Sequence, residues 1–379
     1  LLIVEIPNTE KDKKGLQEFK NYLKENYIGG VAIYGNVAAN LKSPNEVKNF
    51  IYSLQSEMKT ALFIAVDQEG GTVQRLGPKQ GFDYIPSPDQ IGDTNSSETA
   101  YKIAKLTGDE LAAVGVNLNF GPVLDVKSNP NNSVITNRAL SNNPQTVARL
   151  GIQVIKGLES SGILATVKHF PGHGGTKGDP HRESVSIDAT MDELSKRELV
   201  PFKKAVVNGV SSIMVGHIQL TNICQGCLAT FNKKLLTELL REQWKYDGLI
   251  ITDDLSMGAI INKYDIKDAS VKAILAGNDI LLTRNGLEAE IIPYLCEKSS
   301  KNDLMSRELS RRINESYDRV MKAKRKHHLT THKPPRYLMN VFNKNNKILA
   351  AFPNPYNFLI QEKLTTPSQK NETTTHSAK

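Results

Sequence analysis

The chain has 379 residues, 39% of them hydrophobic, and a formal net charge of +8. That is enough apolar material for a sizeable core in one large domain or two ordinary ones. No run approaches the ~18–20 apolar residues that a membrane-spanning helix needs. The charge is lopsided: from Lys322 onward eleven Lys or Arg face only Glu362 and Glu372, so the first 321 residues net to about −1, which leaves no basic body for nucleic acid to bind.

The predicted elements run as follows. Strand candidates are LLIVEI at 1–6, VAIYG at 31–35, ALFIAV at 61–66, VNLNF at 116–120, ILATVKH at 163–169, SSIMVGH at 211–217, GLIITD at 248–253 and DILLT at 279–283. They are continuous apolar runs rather than alternations, as strands buried on both faces require. Amphipathic segments at 44–59, 97–114, 144–161, 191–209 and 232–245 lie between them, and a last helix is expected at about 303–325. Ser43-Pro44 and Asn143-Pro144 read as a cap followed by a first helical proline. Thr190-x-x-Glu193 fits a capping box. This alternation predicts a single-domain (β/α)8 TIM barrel over residues 1–325. The rival, an open doubly wound sheet of dinucleotide-binding type, needs G-x-G-x-x-G after the first strand, and none stands there. Residues 326–379 are basic and polar (KPPRY, NKNNK, FPNPYNF) and read as a disordered tail with a docked portion near Tyr337–Phe352.

Cys224, Cys227 and Cys296 are odd in number and widely spread, so no disulfide framework is expected. Cys224-x-x-Cys227 lacks a second pair of ligands, and all three are read as ordinary thiols. The opening LLIVEIPNTE has neither a basic n-region nor a cleavage site. It is not read as a signal peptide, and a cytoplasmic location is expected.

A barrel carries its chemistry at the C-terminal ends of its strands. There the sequence places Asp67-Gln68-Glu69-Gly70-Gly71, Lys168-His169, His217, Asp253-Asp254 and Arg284-Asn285. Asp253 ends the apolar run GLII, so its carboxylate can serve as a nucleophile, a metal ligand or a helix cap; Asp254 is the better cap, because it opens LSMGAI. The segment 168–183 holds Lys168, His169, His173, Asp179, His181, Arg182 and Glu183, with glycines at 172, 174, 175 and 178. Asp179-x-His181 puts a carboxylate near an imidazole, which suits a proton shuttle. Metal binding by His169, His173, Asp179 and His181 is the rival reading. It lacks the helical spacing of zinc proteases, so no metal and no cofactor is expected.

Lys168-His169-Phe-Pro-Gly-His173-Gly with Asp179-x-His181 resembles the signature of glycoside hydrolase family 3, and within it the bacterial β-N-acetylglucosaminidases. VDQEGGTVQRL at 66–76, VNLNFGPVLDV at 116–126, TNRALSNNP at 136–144, ATFNKKLLTELLR at 229–241 and GLIITDDLSMGAI at 248–260 extend the resemblance over about residues 1–320. It implies a retaining exo-β-N-acetylhexosaminidase acting on N-acetylglucosamine-containing glycans or muropeptides, as a monomer, in cell-wall recycling. It also implies that Asp253 is the nucleophile and His181, partnered by Asp179, the general acid/base. Asp67, Arg75, Arg138, Lys168 and His169 fall on sugar-binding positions. Pro180 stands where the family has a small polar residue, and Gly175 where an Asp is common. Other family activities (β-glucosidase, phosphorylase) and an inactive sugar-binding barrel are the alternatives.

Overall fold

The structure is a computed structural model that describes residues 1–8, 12–176, 185–329, 349 and 352. Asp179, Pro180 and His181 therefore lie outside the described residues. So does most of the expected tail: of residues 326–379 only 326–329, Leu349 and Phe352 are described, the last two partly buried against the main core.

Eight strands close into a barrel: β1 (Leu2–Glu5), β2 (Gly30–Ile33), β3 (Phe63–Val66), β4 (Leu118–Asn119), β5 (Leu164–Phe170), β6 (Ser212–Val215), β7 (Leu249–Asp254) and β8 (Ile280–Thr283). Each lies within one of the eight predicted runs or oversteps it by one residue at one end. Neighbours in sequence are neighbours in space, every pairing is parallel, and β8 returns to β1 with Val4 opposite Thr283. The apolar runs are continuous because both faces are covered. Ile3, Phe63, Ala65, Leu118, Leu164, Ile251 and Leu282 point inward and fill the barrel. Their neighbours Val4, Ile64, Val66 and Val167 point outward against the helices. This is the two-residue period of a strand expressed as two cores.

The outer ring includes α1 (Lys13–Glu25), α2 (Pro44–Gln55), α3 (Ser97–Val114), α4 (Pro144–Ser160), α5 (Leu199–Val207), α6 (Ile266–Ala276), α7 (Glu288–Ser299) and α8 (Leu304–Lys326). The segment Lys234–Gln243, between β6 and β7, is wound as a π-helix. The cap signals act as expected: Ser43 accepts from the Glu46 amide, Asn143 from the amides of Gln145 and Thr146, and Thr190 forms its box with Glu193. The predicted segment 191–209 is two helices, Met191–Lys196 and α5, broken at Arg197. Pro201 explains the break, because its ring would collide with the carbonyl four residues earlier, that of Arg197. No described helix is long and apolar enough to cross a membrane.

α8 closes the N-terminal end of the barrel. Val320 and Ala323 pack against the inner cluster. Lys324 donates from Nζ to the carbonyls of Gly29 (2.9 Å) and Ala61 (2.6 Å) and lies 4.9 Å above the Phe63 ring. Burial lowers its pKa to about 8. The C-terminal mouth is left for chemistry.

One expectation is corrected. Cys224 and Cys227 are not ordinary thiols but a disulfide, with Cα atoms 5.5 Å apart. They flank a turn in which Gln225 and Gly226 have φ of 52° and 86°. The turn closes a hairpin of the strands Ile218–Leu220 and Cys227–Leu228, and Ile218–Leu220 also pairs in parallel with Val185–Ile187. Counting cysteines could not reveal this, because it is the turn that brings the two sulfurs within bonding range. Cys296 is free and exposed, as expected.

Candidate active site

The mouth of the barrel holds a cleft of about 820 Å³, counting the solvent at its opening. Phe120, Met214, Met257 and Leu282 supply its apolar surface, and every other lining group but two valines is polar or charged.

On one wall the extension of β3 presents Asp67 and Glu69, two residues apart and so on one side of the strand. Lys168, at the end of β5, reaches both, 2.8 Å from Asp67 Oδ1 and 2.6 Å from Glu69 Oε1. Arg138 grips Glu69 with two bonds of 2.8 Å, from Nε and Nη2. Arg75 approaches Asp67 at 3.5 Å. Burial alone would raise the Glu69 pKa, but Lys168 and Arg138 outweigh it and bring it to about 2. Lys168 is likewise raised above its ordinary value, because Asp67 and Glu69 outweigh its own burial. The wall is thus a fully charged, mutually paired cluster in a dry setting, the arrangement that makes buried ions tolerable.

On the facing wall Asp253 ends β7. It is half-buried, and its Oδ1 accepts from the Asp254 amide at 2.8 Å. Burial pushes its pKa up, yet His169, His217, that amide and Lys168 together hold it below the usual carboxylate value. Its neighbour behaves oppositely. Asp254 turns away to accept from Ser256 N and Oγ, both at 2.8 Å, and burial lifts it to about 6. His217, at the end of β6, donates from Nε2 to the Asp254 carbonyl (2.9 Å) and takes the Thr230 hydroxyl on Nδ1 (2.7 Å). Burial lowers its pKa, with Asp253 opposing, and its two bonds brace the strand end. Beside Asp253, Arg284 stacks 4.4 Å over the Tyr34 ring and pairs with Glu5 at 3.2 Å.

Behind these groups lies Asp125, fully buried. Its Oδ2 is 2.7 Å from His169 Nδ1, and its Oδ1 accepts the amides of His169 (3.2 Å) and His173 (2.6 Å). The His173 ring packs edge-on to that of His169, and burial lowers its pKa to about 4.

An ionised carboxylate at the end of a barrel strand, facing a paired cationic wall, is what nucleophilic attack on a polar, hydroxyl-rich substrate requires. The sequence profile of the glycosyl hydrolase family 3 N-terminal domain matches residues 1–323. The chain belongs to that family. "Beta-hexosaminidase" from Pseudomonas aeruginosa is 34% identical over 269 residues, 71% of this family-3 chain and 78% of that protein. "Beta-hexosaminidase A" from Pseudoalteromonas piscicida is 35% identical over 272 residues, 67% of this chain but only 45% of that longer protein. Among solved structures, a glycoside hydrolase family 3 β-N-acetylglucosaminidase from Paenibacillus sp. str. FPU-7 superposes with a TM-score of 0.82 at 29% identity. That match covers 92% of this chain and 65% of the other. A family member from Mycobacterium smegmatis gives 0.74 at 27% identity, covering 85% and 94%.

In this family-3 barrel, Asp67, Arg75, Arg138, Lys168, His169 and Asp253 all line the one cleft. The two that do not appear there, Asp179 and His181, lie outside the described residues. Arg138 is less free than a sugar-binding donor would be, since Glu69 holds two of its nitrogens. Glu69, His217 and Arg284 stand on the expected rim but carry no predicted role, and Asp125 and Tyr34 are additions of the structure. Glu69 carried a signal, its two-residue offset from Asp67 on one strand. Asp125 carried none, for it sits in a loop beyond β4 and meets His169 only where that loop runs alongside the neighbouring strand β5, through the Val123–Lys168 bridge.

Proposed function

We propose that this chain is a retaining exo-β-N-acetylhexosaminidase that removes terminal N-acetylglucosamine, with cell-wall fragments in cytoplasmic recycling as its natural substrates. The observation that carries the reading is Asp253, ionised beside its protonatable neighbour Asp254 and lining the charged cleft at the barrel mouth. The names of its relatives choose the sugar. In this reading Asp253 attacks the anomeric carbon and forms a glycosyl-enzyme, splitting a hard displacement into two easier ones. His181, partnered by Asp179, protonates the departing oxygen and then takes a proton from the incoming water. Asp67, Lys168, Arg75, Arg138 and His169 hold the sugar hydroxyls and the N-acetyl carbonyl.

The test is a pair of chromogenic substrates. A β-N-acetylglucosaminide should be cleaved and the matching β-glucoside left intact. Asp253→Ala should abolish turnover. Cleavage by Asp253→Ala at near wild-type rate would remove the nucleophile assignment, and preference for the glucoside would remove the substrate.

A further inference from the structure

His169 lines the cleft with only one face of its ring free. Nδ1 is engaged by Asp125 at 2.7 Å, and among the described residues Nε2 has no hydrogen-bond partner. Asp125 is 0% exposed and its carboxylate is charged. Burial opposes that charge, but His169 and the His173 amide more than offset it. An ionised carboxylate can only accept. So the atom facing it, Nδ1, must carry the proton, and in the neutral ring Nε2 is left as a bare acceptor. The same carboxylate takes two backbone amides through Oδ1, which fixes it independently of the ring.

We propose that Asp125 is a positioning residue of the reaction: acting through His169, it sets the imidazole proton on Nδ1 and presents Nε2 to the cleft as an acceptor for a sugar hydroxyl. This rests on the cleft being the sugar site. It matters there because the same cleft is lined by donors, namely Lys168, Arg138 and Arg75. A sugar hydroxyl that accepts from one of these has its own proton left to place, and His169 Nε2 is built to receive it. A buried partner that sets an imidazole tautomer matters to a site, since the wrong tautomer presents a donor where an acceptor is needed.

Asp125→Asn is the discriminating change. The amide oxygen can keep both backbone bonds, while its NH₂ group faces Nδ1 and drives the ring proton to Nε2. The first readout uses the intact chain and no activity. Imidazole ¹⁵N shifts at pH 8, assigned by the signal lost in His169→Gln, should show a protonated Nδ1 and a bare Nε2 in the wild type. They should show the reverse in Asp125→Asn. A wild-type proton on Nε2 overturns the inference. The second readout is kinetic, with a chromogenic β-N-acetylglucosaminide. Asp125→Asn should raise KM by on the order of tenfold, with a smaller change in kcat, as expected for one lost buried hydrogen bond to a bound sugar. Because Asp125 acts through His169, the double variant with His169→Gln should match His169→Gln alone within about twofold. Additive losses would mean that Asp125 merely anchors the loop, and would equally overturn the inference. Failure of the proposed function would look different: the wild type would cleave no β-N-acetylglucosaminide, while the nitrogen spectra would still decide where the proton sits.

Discussion

At the end of β7 two adjacent carboxylates are sent in opposite directions by what surrounds them. Asp253 faces His169, His217 and Lys168 and stays charged. Asp254 faces Ser256 and the interior and rises to about 6. Divergent environments for paired acids are the usual way a site separates roles. The opposite wall depends heavily on Glu69, which holds Arg138 by two bonds and shares Lys168 with Asp67. Its pKa in the fold, about 2, lies below the ordinary 4.5, so it stabilises the protein above pH 4.5 and loses that contribution as pH falls towards 2. Glu69→Gln should therefore cost about 3 kcal/mol at pH 7. The gap from wild type should close between pH 4.5 and 2 in denaturant melts. A gap that persists unchanged at pH 2 would show that the loss comes from packing rather than charge.

At the scale of elements, the three-stranded sheet beside the barrel is the feature that sequence periodicity did not show. Its strands are two or three residues long, too short for a period to register. Its hairpin is closed by the Cys224–Cys227 bond, with the Asn232 amide 3.3 Å and 3.2 Å from the two sulfurs. A disulfide closing so short a loop constrains the unfolded chain only modestly. Reduction should lower stability by about 2 kcal/mol on the chain-entropy account. Cys224→Ser/Cys227→Ser should show the same loss and no further sensitivity to reductant. A much larger loss would mean that the hairpin does not fold without the bond. The break at Arg197 belongs to this scale too: the pattern 191–209 was read as one helix, and Pro201 makes it two.

The whole molecule is polar along the barrel axis, closed at one end and reactive at the other. Lys324 is the plug, a cation with two backbone carbonyls and an aromatic face around it. Its folded pKa, about 8, is below the ordinary 10.5, so its charge costs stability at neutral pH. That cost disappears as pH rises from 8 to 10.5. Wild-type stability should thus gain about 3 kcal/mol over this window relative to Lys324→Met. Since Asp253 lies at the far mouth, kcat/KM at pH 7 should stay the same in the variant. Coincident pH profiles of stability would show that the ammonium is not buried as described, and a fall in kcat/KM would show that the two ends are coupled.

The sequence by itself determined the barrel, its eight strands, most helix starts and the identity of the strand-end groups. These follow from local rules: apolar runs mark strands buried on both faces, and Ser, Asn and Thr before a first helical turn satisfy its free amides. Asp67, Lys168, His169 and Asp253 could be placed on one rim because a barrel delivers its strand ends there, whereas Arg75, Arg138 and the role of each group came only from the family resemblance. What only the tertiary structure decided was which charge meets which. Glu69 with Arg138, Asp125 with His169 and Cys224 with Cys227 are pairings across loops, and a loop imposes no period from which a partner can be read. The lateral pairing of β4 with β5 placed Asp125 behind His169, and the loop between Asn119 and Asp125 has no period that would announce the contact.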